Sequence, residues 1–345
     1  MNIAINGFGR IGRVLHRIVS GRSDINLVAI NDINPDNHNL AYLANFDSTY
    51  GLAKKKYSIE GEYLYNEDEK IRIFHETLID QVPWGESIDV IIDSSGIAEN
   101  LEKASNLKGS VGHVIVTNSS SEDLVDRTII FGVNHEEFSP ENDFLISSSI
   151  CDATAFAPLA QLLDTNFGIE QGFLTTLHPW LGYQNLLDGP SKSYSAPGEI
   201  YDEYALGRSS LNNLIPKNTS AISATYKVLP ELKEKFLAVS YRVPTSIVSS
   251  ADSTLILSRN TSHEEVSELL IQAENEKSSI FKNNFEALVS TDLTASDKSV
   301  IIDHRFLNVK GNYLKLLTWY DNEWGYSSRV IDLVEYLGHV NGIHK

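Results

Sequence analysis

Cysteine and methionine occur only once each in this chain of 345 residues, as Cys151 and Met1. A single cysteine excludes an internal disulfide, and the 10 histidines show no paired ligand spacing, so no metal centre is expected. Positive charge is also scarce. The 28 Lys and Arg stand against 46 Asp and Glu, a formal net charge of −18, which argues against nucleic acid or an anionic membrane as partner. No apolar run approaches the ~20 residues of a membrane-spanning helix. No basic, apolar or small-residue leader precedes the strand-like Ile3-Ala4-Ile5, so a cytoplasmic protein is expected.

What remains is the composition of a globular protein, 42% hydrophobic and 21% charged, with enough length for two domains. The run Ile3-Ala4-Ile5 leads into Asn6-Gly7-Phe8-Gly9-Arg10-Ile11-Gly12-Arg13, after which Val14, Leu15 and Ile18 recur at helical spacing. A second apolar run, Leu27–Ile30, ends at Asn31-Asp32, completing strand, glycine turn, helix and strand. Further β-branched runs at 90–93, 113–116 and 128–131, with a helical stretch at 98–106, predict a doubly wound parallel sheet. From Cys151 onward the alternation is longer: strands are expected over 236–244, 253–258, 299–309 and 313–320, and Ser262-x-x-Glu265 predicts a capped helix through Ile271. The segment 191–207, rich in Ser, Tyr, Pro and Gly, reads as a long loop. The fold class is thus α/β, a doubly wound Rossmann-type domain in the N-terminal part joined to a separate α+β domain with a mostly antiparallel sheet after Cys151.

Each glycine of Gly7-x-Gly9-x-x-Gly12 has a physical task. Gly7 permits the tight turn, Gly9 admits the pyrophosphate, and Gly12 lets helix and strand pack closely, with the phosphates on the helix N-terminus. Asp32, twenty residues beyond Gly12, would accept from the adenosine ribose and repel a 2′-phosphate, which favours NAD.

Cys151 falls where the strand-like Phe144–Ile146 gives way to a helical pattern over 153–163, so amides aimed at the sulfur are expected to lower its pKa. His178, ending the run Gly172–Leu177, is the candidate base.

Seven segments together, NGFGRIGR (6–13), AYLANFDS (41–48), GVNH (132–135), TTLH (175–178), DGPS (188–191), YRVPT (241–245) and WYDNEWGYSSRV (319–330), resemble the glyceraldehyde-3-phosphate dehydrogenase family from end to end. The resemblance implies that Cys151 attacks an aldehyde, that His178 is the base, and that the thioester formed after hydride transfer is cleaved by inorganic phosphate. It also implies NAD contacts at Asn6, Arg10, Ile11, Asp32, Ser95, Thr117 and Asn322, an NAD-binding domain of 1–150 with 321–345 that closes with a C-terminal helix near 330–338, a catalytic domain of 151–320, and a homo-oligomer, most simply a tetramer. The expected partner is a small aldehyde, phosphorylated or not.

The chain departs from the family where phosphate is held. Typical members read Ser-Asn-Ala-Ser-Cys-Thr-Thr-Asn around the nucleophile; here Ile150 replaces a serine and Asp152 a threonine. Leu181 stands for a threonine, Leu206 aligns with an arginine, and Ser220 replaces a glycine, while Thr219 and Arg242 remain. A like-charge pair at ~6 Å and an effective dielectric of ~20 repels by roughly 3 kcal/mol, about a hundredfold in affinity. Asp152 therefore opposes phosphate as acyl acceptor, and beside the sulfur it would raise the thiol pKa. One arrangement spares the thiol: Asp152 turned to cap the helix. The expectation is an NAD-dependent aldehyde dehydrogenase with altered substrate or acceptor; the ordinary phosphorylating reaction and a non-catalytic NAD-binding protein are the alternatives.

Overall fold

The computed structural model describes residues 1–85, 87–119 and 122–342. The chain forms two compact units, Met1–Ser149 with the segment from Ser327 onward, and Ile150–Tyr326. Residues 343–345, the end of the expected C-terminal part, lie outside the described residues.

In the first unit nine strands form one sheet in the order Arg127–Thr128, Leu145–Ser147, His113–Val116, Val90–Asp93, Asn2–Asn6, Asn26–Asn31, Lys70–Phe74, Tyr63–Tyr65, Ser58–Glu60. The first seven run parallel, and the last two are added by successive antiparallel pairings. Val90–Asp93 and His113–Val116 are buried at every position, as strands covered on both faces must be. The sheet is shorter at one expected strand. Only Arg127–Thr128 pairs, because the Ile130 amide is taken by Asn134 Oδ1 at 2.9 Å and Gly132 turns the chain at φ +89°.

The second unit is built on an eight-stranded, mostly antiparallel sheet in the order Ile215–Lys217, Phe236–Val243, Ile169–Pro179, Ser249–Leu257, Tyr313–Tyr320, Val300–Asp303, Phe281–Asn284, with Asn308–Lys310 added to Tyr313–Tyr320. Residues paired across strands share a face. His178 pairs with Arg242, Arg242 with Ile215, Lys217 with Ser240, and Ser249 with Tyr320, so these side chains rise from one surface. The helix Cys151–Phe167 packs there, with Phe156 set edge-on to Phe236 at 5.2 Å. Gly172 makes room for that ring, since a Cβ on it would lie 2.2 Å from Phe236. The expected strand 299–309 is broken in two because Asp303 caps a 3-10 turn at His304–Phe306. Ser262 caps helix His263–Glu276 by accepting from the Glu265 amide at 3.1 Å.

Among the described residues no helix is long and apolar enough to cross a membrane.

Candidate active site

At the carboxyl ends of three neighbouring strands, Asn31, Asn6 and Asp93 lie in register. Asn31 Nδ2 donates to Asn6 Oδ1 at 2.7 Å and Asn6 Nδ2 to Asp93 Oδ1 at 2.9 Å, a buried chain that fixes the floor of the glycine turn. Gly7 has φ +91°, and a Cβ there would lie 2.5 Å from Ser95 Cα. At Gly12 a Cβ would lie 2.1 Å from the Gly7 carbonyl oxygen. Only hydrogen fits at either position. The helix Arg10–Val19 starts from Gly9 with no side-chain cap, and a helix N-terminus of this kind favours an anion.

Asp32 accepts from the Phe8 amide at 2.7 Å and from the Asn34 amide at 2.8 Å, so its carboxylate is held at the end of Asn26–Asn31 with lone pairs remaining. Arg10 pairs with Asp47 at 2.5 Å. Ser95 Oγ accepts from Asn100 Nδ2 at 3.0 Å, and Thr117 Oγ1 donates to the Asp93 carbonyl at 3.0 Å. Ile11 is half-buried on the first turn of the helix. Asn322, in the second unit, is buried and accepts from Ser249 Oγ at 3.4 Å. The glycine cradle, the uncapped helix start and the oriented Asp32 fit a dinucleotide.

In the second unit Cys151 opens its helix after an extended Ile150. Its Sγ lies 3.6 Å from His178 Nε2 and 3.5 Å from Asp152 Oδ1. His178 Nδ1 is 2.8 Å from the Pro179 carbonyl oxygen, which can only accept. Nδ1 therefore carries the proton of the neutral ring, and Nε2 presents its lone pair to the thiol. Burial, reinforced by the nearby Arg242, lowers the His178 pKa to about 4, so the ring is neutral at physiological pH.

Two expectations are corrected here. The Cys151 pKa is raised, not lowered: burial is the largest cause, Asp152 adds to it, and the Asp152 amide and Arg242 only partly oppose them. Nor is Asp152 turned to cap the helix. Its Oδ1 accepts from the Tyr320 phenol at 2.8 Å and lies 3.8 Å from His178 Nε2. The carboxylate faces both the Cys151 sulfur and the His178 ring.

Arg242 is buried beside His178, and its side chain makes no hydrogen bond or ion pair among the described residues; its Nε is without an acceptor. Lys217, a half-buried neighbour on the same face, also lacks a bonded partner, and burial and Arg242 lower its pKa against the opposing pull of Asp152 and Glu203. Thr219 is half-buried and accepts from the Ala221 amide through Oγ1 at 3.1 Å. Ile150 and Leu181 offer hydrocarbon, Leu206 is buried in a 3-10 turn, and Ser220 is exposed at the start of helix Ala221–Tyr226.

Sequence reasoning missed Tyr320 and Lys217. Tyr320 lay within the quoted WYDNEWGYSSRV segment, but its partner is 168 residues away. Lys217 carried no signal of its own, since its strand is only three residues long and contains Pro216.

Comparison with known proteins gives the same picture. The NAD binding domain of glyceraldehyde 3-phosphate dehydrogenase matches residues 1–101 and the C-terminal domain of the same family matches 150–322. A glyceraldehyde-3-phosphate dehydrogenase of Ogataea parapolymorpha is 37% identical over 99% of both chains. One from Chlamydia pneumoniae is 36% identical over 98% of both. The cytosolic glyceraldehyde-3-phosphate dehydrogenase of Chlamydomonas reinhardtii is 36% identical over 96% of this chain and 95% of its own. Matched by both domains of the family and by relatives over nearly its whole length, this chain belongs to the glyceraldehyde-3-phosphate dehydrogenase family.

Proposed function

We propose that the chain oxidises a phosphorylated aldehyde through a thioester on Cys151, with glyceraldehyde 3-phosphate the substrate favoured by whole-chain similarity. The observation that carries this reading is the 3.6 Å approach of Cys151 Sγ to an His178 Nε2 whose lone pair is free. His178 takes the thiol proton as sulfur attacks the aldehyde carbon and returns it to the oxygen, giving a hemithioacetal. It then removes that hydroxyl proton as the thioester forms. Bound NAD supplies the acceptor for the hydride that leaves the carbon.

Arg242 and Lys217 account for the anionic end of the substrate. Two cations raised from one sheet face without acceptors destabilise each other, and a phosphate dianion between them satisfies both.

A second reading concerns the acyl acceptor. Asp152, buried 3.5 Å from the sulfur, repels a phosphate dianion there and favours water or another neutral nucleophile. NADH formation from glyceraldehyde 3-phosphate, measured with and without inorganic phosphate and with Cys151→Ser as control, tests both. Phosphate-dependent turnover supports the phosphorylating reaction, phosphate-independent turnover supports the second acceptor, and NAD binding without turnover of this or other aldehydes refutes the catalytic reading.

A further inference from the structure

Cys151, Asp152 and His178 bring one sulfur, one carboxylate oxygen and one imidazole nitrogen within 4.8 Å of one another. A tetrahedral zinc with Zn–S of about 2.3 Å and Zn–N and Zn–O of about 2.0–2.1 Å has S···N and S···O edges of about 3.6 Å and an N···O edge of about 3.3 Å. The corresponding separations here are 3.6 Å for sulfur to nitrogen, 3.5 Å for sulfur to oxygen and 3.8 Å for nitrogen to oxygen. We propose that these three side chains form a zinc site whose occupation blocks the nucleophile. This goes beyond the proposed function and does not depend on which aldehyde or acceptor the chain uses.

The groups around the three donors support it. Nδ1 of His178 donates to the Pro179 carbonyl at 2.8 Å, which fixes the ring and leaves Nε2 as a ligand. Asp152 Oδ1 is oriented by the Tyr320 phenol at 2.8 Å. Outer partners of this kind, a carbonyl behind the imidazole and a donor behind the carboxylate, are those of zinc sites. The donor set selects by type, because thiolate and imidazole suit zinc and repel the preferences of magnesium and calcium. On binding, the thiol proton leaves to solvent, so Zn²⁺ meets two anionic ligands and the assembly is neutral. That neutrality lets a dication approach Arg242 and Lys217. A solvent molecule completes the fourth position.

Asp152 is the residue that makes the set. With the threonine of typical family members in its place, only sulfur and imidazole remain. In the occupied site the sulfur lone pair and the Nε2 lone pair are both engaged, so attack and proton transfer stop until the metal is withdrawn.

The test uses the NAD-loaded protein, freed of metal with EDTA and titrated with zinc chloride against a chromophoric chelator. One zinc per chain is expected, with Cys151 protected from iodoacetamide and restored by EDTA. Asp152→Asn, of equal size, should bind zinc at least about tenfold more weakly while still binding NAD. Cobalt should give a thiolate-to-metal charge-transfer band that Cys151→Ser abolishes, and this readout in the unmodified protein stands even if the Asp152 variant fails to fold. The proposal is overturned if zinc leaves the alkylation rate of Cys151 unchanged, if cobalt gives no thiolate band, or if folded Asp152→Asn binds zinc as tightly as the wild type.

Discussion

The Tyr320 phenol donates to Asp152 Oδ1 at 2.8 Å and holds that carboxylate against Cys151 Sγ, 3.5 Å away. The resting thiol is therefore kept protonated by burial and by this neighbour. Replacing Asp152 by threonine removes one of the two causes, and the sign follows: the thiol ionises at lower pH. The pH profile of iodoacetamide alkylation should move to lower pH in Asp152→Thr, and inorganic phosphate should accelerate its turnover more than that of the wild type. An unmoved profile would mean that the carboxylate does not act on the sulfur.

Tyr320→Phe leaves the carboxylate buried without its phenol donor. The expected loss is about 1–3 kcal/mol of stability, read as a lower midpoint of urea unfolding with unchanged slope. An unaltered midpoint would show that Asp152 finds another donor.

Lys217 is assigned to the substrate's anionic end. Lys217→Met should lower the ratio of kcat/KM for glyceraldehyde 3-phosphate to that for glyceraldehyde by about 10–100-fold, the worth of one hydrogen bond to a charged group. Lys217→Arg should restore most of the ratio. Equal losses on both aldehydes would make Lys217 structural.

His16 is fully buried against Phe8 and Tyr57, and neither ring nitrogen has a hydrogen-bond partner among the described residues. Burial lowers its pKa to about 4, as it does for His178. The folded value lies below the unfolded 6.5, so the unfolded chain binds the extra proton. Stability is complete above pH 6.5 and falls as pH drops toward 4, by about 3 kcal/mol per histidine. His16→Phe should flatten this acid limb in chemical unfolding measured from pH 7 to 4; an identical limb would contradict the assignment.

Gly12→Ala places a Cβ against the Gly7 carbonyl, where 2.1 Å is available. Either the helix or the turn must move, so NAD binding by calorimetry should fall sharply while the second unit keeps its fold. Binding at wild-type affinity would show that the turn yields freely.

The parts legible from sequence are those whose cause is local. The strand, glycine turn, helix and strand at the N-terminus follow from β-branched runs and from glycines where no Cβ fits, and Ser262 announces its helix through a cap three residues long. Cys151 and His178 stand out in the sequence because one opens a helix and the other lies near the end of a strand. The rest depends on distant partners. Nothing near Asp152 discloses that Tyr320 will turn it toward the sulfur and away from the helix amides. The run at 128–131 looked like a strand because burial and pairing produce the same apolar pattern, yet Ile129 and Ile130 are buried without extending it. Asp303 broke the run at 299–309 by capping a turn that its apolar neighbours concealed.

The central claim is that Cys151 carries the acyl group and His178 moves its proton. The most direct measurement is rapid mixing of the NAD-loaded enzyme with glyceraldehyde 3-phosphate in the absence of phosphate, following NADH and the mass of the Cys151 peptide. The account predicts a burst of NADH with an acyl adduct on Cys151, slowed about 10²–10⁴-fold in His178→Asn and absent in Cys151→Ser. NADH formation by Cys151→Ser at the wild-type rate, or a burst with no adduct on Cys151, would contradict it.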